Sequence, residues 1–450
     1  MRVVTLGTGY VGLNTAVALA YLGHSVRGVD VDIEKVSKLK QKQAPIREAG
    51  LDALLSLSLD LTFTTDLASV IEDVDVIFIA VGTPSLPNGH ADLSYVHAAA
   101  KNIAECLSPR RDVTIVVKST VPIGVNTMLE RQIREHISRR GECVDFLHFA
   151  SNPEFLREGC ALSDMFYPDR IVIGTQDDKA HAMLSELYAP ILSQSFPPPD
   201  GISIPNPRPQ SQCLRTDQTS AEMIKYASNA FLATKISYIN ELSGLCEKLG
   251  ANISDVSLGM GMDHRIAPYF LRSGLGWGGS CFPKDTLALL GIASEYDYSL
   301  PIVEAAIAVN ERQKHRIVQS VLSALKVVRG ARVALLGITF KPNTDDVRHS
   351  PAVDLARHLT RLGARVFVHD PVGLANARRV YAEEGFDFCD TAYEAAEGAE
   401  AIMIATDWAE YRSLDWRRIL ESLAQPHLFD ARNLLDRNAM LALGFKYYGF

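Results

Sequence analysis

The residues Gly278-Gly279-Ser280-Cys281-Phe282-Pro283-Lys284-Asp285 gather a thiol, a proline and a carboxylate in one glycine-rich turn. Proline suits the first turn of a helix. Cys281 is therefore expected at a helix start, where free backbone N–H groups and the positive end of the dipole favour a thiolate. Asp285 follows four residues later, on the face that carries the sulfur. A nucleophile beside a carboxylate suits covalent chemistry on an electrophilic carbon. A buried cysteine at a helix start is the plain alternative.

A second polar pair lies on the helical pattern spanning 217–249. Lys225 and Asn229 are four apart and share a face. Their neighbours Ile224, Ala227, Ala230, Phe231 and Leu232 are apolar, which argues against a merely solvated pair.

The elements that must position these groups begin at the amino terminus. A short apolar strand over 2–7 runs into Gly7-Thr8-Gly9-Tyr10-Val11-Gly12, then a helical stretch, then a strand over 25–29 ending at Asp30. Strand, Gly-x-Gly-x-x-Gly, helix, strand and acid form the dinucleotide-binding fingerprint. The glycines allow a pyrophosphate to approach the helix N-terminus. A carboxylate at Asp30 suits ribose hydroxyls and repels a 2′-phosphate, which favours NAD over NADP.

Further buried strands are expected over 74–81, 113–117, 146–150 and 171–174. Ligands of open α/β sheets bind beyond the carboxyl ends of strands, and Thr83, Thr120 and Glu154 lie there. Residues 196–211 are rich in Pro and Gly and read as a surface loop or linker. A third region opens near Arg329 with strands over 332–336, 365–369 and 401–405 and a helix over 352–362. It lacks the glycine triplet, so a second dinucleotide is not expected in the same manner. Its first loop carries Lys341 and Asp345-Asp346-Val347-Arg348, where phosphate recognition would fall.

The fold class is therefore α/β: two Rossmann-like domains with parallel sheets, joined by a long central helix and a helical middle domain. The expected divisions are 1–212, 213–328 and 329–450. With 450 residues, 47% of them hydrophobic and 22% charged, the chain can bury ample core. No apolar run long enough for a membrane span and no signal-type leader appear, so a cytoplasmic protein is expected. A net charge of −8 argues against nucleic acid. Seven scattered cysteines with no Cys-x-x-Cys, and twelve histidines with no His-x-x-x-His, indicate neither disulfides nor a metal site.

Five ordered motifs carry a resemblance. They are the fingerprint, residues 152–159 (NPEFLREG), 222–231 (EMIKYASNAF), 278–285 (GGSCFPKD) and 340–348 (FKPNTDDVR). Together they resemble the UDP-glucose/GDP-mannose 6-dehydrogenase family, its UDP-glucose branch most. The resemblance covers essentially the whole chain. It implies an NAD-binding first domain, a homodimer formed through the central helix, and a carboxy-terminal domain for the nucleotide of a nucleotide sugar. It also implies oxidation of a C6 alcohol to a carboxylate at the expense of two NAD.

By motif position, Cys281 matches the family nucleophile, and Lys225, Asn229, Asp285, Thr120 and Glu154 match residues around the reacting carbon. Gly7, Gly9, Tyr10, Val11, Gly12, Asp30, Lys35, Thr83, Thr120, Glu158, Lys284 and Arg348 match cofactor contacts. Glu154, Phe155, Leu156, Arg157, Lys225, Asn229, Tyr269, Phe270, Leu271, Gly274, Gly278, Cys281 and Lys341 match substrate contacts. Arg265 matches a residue that reaches a partner subunit's substrate. Alternatives are the same chemistry on TDP-glucose, GDP-mannose or a UDP-N-acetylhexosamine, a two-electron alcohol dehydrogenase with an idle Cys281, and a non-catalytic binding protein.

Overall fold

The computed structural model describes residues 1–86, 89–108 and 111–450. The chain packs as two units, Met1–Ala227 and Ser228–Phe450.

The first unit is built on eight strands: β1 (Arg2–Leu6), β2 (Ser25–Val29), β3 (Leu61–Thr64), β4 (Val76–Ile79), β5 (Val113–Val117), β6 (Leu147–Ser151), β7 (Arg170–Gly174) and β8 (Gln212–Thr216). Their order is β3-β2-β1-β4-β5-β6-β7-β8. The first six are parallel, in the order expected of a dinucleotide-binding sheet. β7 meets β6 antiparallel at Ser151 and Gly174, and β8 runs parallel to β7. β4 and β5 are buried at every position, and they read as unbroken apolar or β-branched runs because helices cover both faces. The helix Tyr10–Tyr21 supplies Leu13, Val17 and Leu19 to one core. The helices Ser94–Cys106 and Val125–Arg139 supply Ile103, Leu129 and Ile133 to the other.

Two expectations need adjustment. Residue 213, expected to open the middle region, lies inside β8. That strand is an exposed sheet edge with a mixed polar sequence, so no apolar run announces it. The proline-rich residues after Phe196 form no helix or strand up to β8, yet they are not a free linker. Phe196 packs 5.4 Å from the Phe166 ring, Ile202 is buried, and Ser163 Oγ donates to Ser203 O.

The second unit holds six parallel strands: β9 (Arg332–Leu336), β10 (Arg365–His369), β11 (Asp387–Phe388), β12 (Ala401–Ile404), β13 (His427–Asp430) and β14 (Lys446–Gly449). Their order, β11-β10-β9-β12-β13-β14, repeats that of the first six strands. The helix Pro301–Leu325 sends Ile317, Val321 and Leu325 into the core that β9 and β10 share. The helical middle is thus packed onto the second sheet through a common interior. The helix Gln218–Leu249 runs 32 residues through the division after Ala227. Among the described residues no helix is long and apolar enough to cross a membrane. All seven cysteines are free thiols.

Candidate active site

Gly7, Gly9 and Gly12 occupy the short turn from β1 into the helix Tyr10–Tyr21. A Cβ on Gly7, at φ +91°, would sit 2.6 Å from Ala80 O, and one on Gly12 would sit 1.9 Å from Gly7 O. The chain's own packing demands both glycines. Gly9 differs, since a Cβ there would meet nothing within 4 Å. Its bare backbone faces open space at a helix N-terminus, the place a pyrophosphate takes. Val11 is half-buried in the first helical turn.

Asp30 ends β2. Its Oδ2 accepts from Thr8 N at 2.7 Å, Thr8 Oγ1 at 2.8 Å and Lys35 Nζ at 3.0 Å, while Oδ1 accepts from Asp32 N at 3.0 Å. Burial opposes its charge, but these bonds outweigh it and hold the carboxyl below its ordinary value. Oδ1 keeps acceptor capacity for a ribose hydroxyl. Beside it Val31 and Ile33 are 84% and 74% exposed, an apolar surface for a flat base. This donor and acceptor set fits a dinucleotide. In the second unit the equivalent acid, Asp370, is already satisfied by Ile338 N, Thr339 N, Thr339 Oγ1 and Trp408 Nε1. With Asp370 only 2% exposed, no ribose can reach it.

Tyr10 hydroxyl donates to the Glu48 carboxylate and accepts from Gly159 N–H, which ties the fingerprint to the loop after β6. Burial raises the Glu48 carboxyl to about 7. Thr83 Oγ1 donates to Thr120 O at 2.9 Å, joining the ends of β4 and β5. Glu158 is half-buried in the loop after β6.

A buried ion pair lies beyond β6. Lys225 Nζ is 2.8 Å from Glu154 Oε1, with the side chains 5% and 7% exposed. Leu156 N donates to Glu154 Oε2 at 2.6 Å. Burial raises the Glu154 carboxyl, but Lys225 and the hydrogen bonds lower it further, so it titrates below its ordinary value. Lys118, the first residue past β5, is 4% exposed. Its Nζ donates to Asn152 Oδ1 at 2.9 Å, and Tyr188 hydroxyl donates to the same oxygen at 2.7 Å. Burial lowers the Lys118 ammonium to about 8. Sequence reasoning missed Lys118, Asn152 and Glu48. The available signal for Lys118 was a lysine placed directly at the carboxyl end of an all-apolar strand.

The second cluster stands in the second unit. The helix Phe282–Glu295 starts after Cys281, with Pro283 in its first turn, and Cys281 is half-buried. Ser280 Oγ is 3.7 Å from its sulfur. Asp285 is 1% exposed. It accepts from Asn229 Nδ2 at 2.6 Å and Lys284 Nζ at 2.5 Å, while its own N–H donates to Cys281 O at 2.8 Å. The turn is fitted to the loop after β9. A Cβ on Gly278 would lie 2.1 Å from His349 O, and one on Gly279, at φ +81°, 2.7 Å from the Phe340 ring. Lys225 and Asn229 thus share a helix face as expected, but each serves its own carboxylate.

Most of the remaining expected contacts have local partners. Lys341 Nζ lies 5.5 Å from the Phe340 ring, and Arg348 is paired with Asp346 at 2.6 Å. The Phe270 ring sits 6.2 Å from that of Phe282, Leu271 is buried, and Tyr269 is 71% exposed. Gly274 N donates to Asn240 Oδ1 at 2.7 Å. Phe155 lies 3.7 Å beneath the Arg170 guanidinium, and Arg157 pairs with Asp164 at 2.6 Å. Arg265 is exposed and pairs with Asp263 at 2.6 Å. One group that sequence reasoning did not single out is Arg432. Its Nε and Nη1 donate to Ala405 O and Gly276 O, while Nη2 is buried with no partner among the described residues.

Residues 1–192, 219–312 and 334–437 match, in turn, the NAD binding, central and UDP binding domains of the UDP-glucose/GDP-mannose dehydrogenase family. The chain is 45% identical to a UDP-glucose 6-dehydrogenase of Rhizobium meliloti, with 99% of this chain and 98% of that protein aligned. It superposes on a UDP-glucose dehydrogenase from the archaeon Pyrobaculum islandicum with a TM-score of 0.87, at 37% identity, over 100% of this chain and 97% of that one. A UDP-D-ManNAc dehydrogenase from Pyrococcus horikoshii gives a TM-score of 0.83 at 28% identity, over 100% and 99% of the two chains. Fold, fingerprint and these likenesses define an NAD-dependent dehydrogenase of nucleotide sugars. The chain belongs to the UDP-glucose/GDP-mannose dehydrogenase family.

Proposed function

We propose that this enzyme oxidises the C6 alcohol of UDP-glucose to UDP-glucuronate through a covalent bond to Cys281. The observation that carries the reading is a half-buried thiol at a helix start, one turn before a buried carboxylate held by Asn229 and Lys284. Lys225 and Asn229 are one turn apart on a single helix, which supports assigning both clusters to one reaction.

When bound, NAD would supply the hydride acceptor, one NAD for each of two oxidations of C6, with NADH exchanged for NAD between them. Gly9, Asp30, Lys35 and Thr83 would hold it, and motif position assigns Tyr10, Thr120, Glu158, Lys284 and Arg348 to the cofactor as well. Asp285, acting through a water, takes the hydroxyl proton as the first hydride leaves, and an aldehyde results. Lys225 and Asn229 donate hydrogen bonds to the carbonyl oxygen as charge develops on it. The Cys281 thiolate adds to the aldehyde carbon and the oxygen takes a proton, which gives a thiohemiacetal. Loss of its hydroxyl proton and a second hydride gives a thioester. Glu154, with Thr120, directs a water onto that carbon. The C–S bond breaks, the carboxylate departs and the thiolate is restored.

The nucleotide is assigned to the second unit, where Lys341 and the buried, unpartnered Nη2 of Arg432 suit phosphate oxygens. UDP is supported by the UDP binding family domain and by the names of the relatives. A homodimer through the long helix is supported by Phe231, Tyr238 and Leu245, seven residues apart and 66%, 50% and 53% exposed.

Counting NADH per sugar across UDP-, TDP- and GDP-sugars tests the reading. Two NADH per UDP-glucose are expected. One would indicate a simple alcohol dehydrogenase, none a binding protein, and preference for another nucleotide would overturn the substrate.

A further inference from the structure

Lys118 is a buried cation that the reaction above leaves without a task. Its Nζ lies 6.0 Å from the Phe78 ring centroid and 5.9 Å from that of Tyr188, and Asn152 Oδ1 is its one hydrogen-bond acceptor among the described residues. An ammonium has three N–H groups, so burial at 4% exposure with one acceptor is costly unless its charge is used. Asn152 is fixed independently of Lys118. Its N–H donates to Val117 O at 2.9 Å and its Nδ2 to Val172 O at 2.8 Å. The lysine therefore points at a rigid anchor two residues before Glu154.

The charges that act on Glu154 come from two elements, Lys225 on the long helix and Lys118 past β5. Those that act on Lys118 are Glu154 and Lys225, and the Tyr188 hydroxyl beside it is held neutral by burial. Lys225 has two duties in the proposed reaction: it pairs with Glu154 and it donates to the substrate oxygen. Each hydrogen bond given to substrate weakens its hold on Glu154, and a buried carboxylate that loses its partner takes up a proton. A protonated Glu154 cannot activate water.

We propose that Lys118 is a positioning residue that keeps Glu154 ionised while Lys225 is engaged with substrate. This rests on the role of Glu154 as the base for thioester hydrolysis. Lys118 touches neither substrate nor cofactor in this scheme. Below its value of about 8 it supplies a positive charge that does not change place as the reaction proceeds.

The test is the pH dependence of kcat with saturating NAD and UDP-glucose, for wild type, Glu154→Gln, Lys118→Met and Lys118→Gln. Met keeps the apolar stem between Phe78 and Tyr188, and Gln keeps a donor for Asn152. Loss of the charge is expected to move the acid limb of kcat up by about one pH unit in both Lys118 variants, with KM for both substrates within about twofold. Glu154→Gln is expected to abolish that limb. If Glu154→Gln leaves the limb in place, the base assignment fails and the inference with it. If Glu154→Gln removes the limb but both Lys118 variants keep it at the wild-type pH, the inference alone fails. A shift in Lys118→Met without one in Lys118→Gln assigns the effect to the Asn152 hydrogen bond and overturns the charge argument. Failure of both Lys118 variants to fold, read by circular dichroism, makes the residue scaffold and overturns it likewise.

Discussion

Replacing Lys225 with Met removes the ammonium 2.8 Å from Glu154 and keeps an apolar stem of similar reach. Both side chains are more than nine-tenths buried. Removing one partner of such a pair costs ~3–5 kcal/mol, because the other charge is left uncompensated in a poor solvent. Glu154 can escape part of that cost by taking a proton, and this gives the prediction its sign. In the wild type the folded-state carboxyl titrates below its ordinary value. Its contribution is present above the unfolded pKa of about 4.3 and is lost as pH falls through the folded value. In the variant, burial, the largest effect on this carboxyl, is opposed only by the Leu156 N–H and the weaker pull of Lys118, which do not replace Lys225, so the folded value rises above the unfolded one. That contribution is present below the unfolded pKa and disappears as pH rises through the folded value. The two proteins therefore diverge as pH rises above the unfolded value of about 4.3. A stability loss of ~3 kcal/mol is expected at pH 7.5 and ~1 kcal/mol at pH 4.5. Urea unfolding followed by far-ultraviolet circular dichroism is the suitable assay. Tryptophan fluorescence is not, since Trp277, Trp408 and Trp416 all lie in the second unit and Glu154 in the first. Turnover of the variant is expected to fall ~10²- to 10³-fold through loss of the oxyanion donor. An equal stability loss at both pH values would refute the buried-charge argument.

Cys281→Ser is expected to bind NAD and UDP-glucose but to stop after one oxidation or at a covalent adduct; wild-type turnover in stopped-flow NADH absorbance would end the covalent proposal. Asp30→Ala is expected to weaken NAD by ~10- to 100-fold, the worth of a charged hydrogen bond, with little effect on nucleotide-sugar affinity. Unchanged NAD affinity by calorimetry would discredit the ribose assignment. Tyr238→Glu combined with Leu245→Glu is expected to yield monomers by light scattering, and an intact dimer would move the interface off that stripe.

Much of this architecture can be read from the chain because parallel strands buried on both faces write themselves as apolar runs. Strands expected at 113–117, 332–336 and 365–369 match β5, β9 and β10 in every residue. The edge strand β8 is invisible for the same reason, since Gln212-Cys213-Leu214-Arg215-Thr216 has no buried face to advertise. At the site, motif spacing places Cys281 and Asp285 correctly on one helical turn. It does not say what Lys225 and Asn229 will touch. A separation of four fixes a shared helix face, whereas the choice of Glu154 for one and Asp285 for the other comes from distant segments of the chain. Lys118 and Arg432 escape notice because a single charged residue after a strand looks like solvated loop until its burial is known.

The glycine turn before Cys281 leaves no slack between the sulfur and the loop that carries Lys341 and Arg348. With His349 O and the Phe340 ring where a methyl group would go, neither Gly278 nor Gly279 can be enlarged without displacing that loop. The turn that carries the proposed nucleophile and the loop that carries Lys341 are therefore braced against each other. Any redesign of the phosphate contacts through residues 340–349 is expected to move the proposed nucleophile as well, so altered nucleotide affinity should arrive together with altered turnover and not as an independent trait.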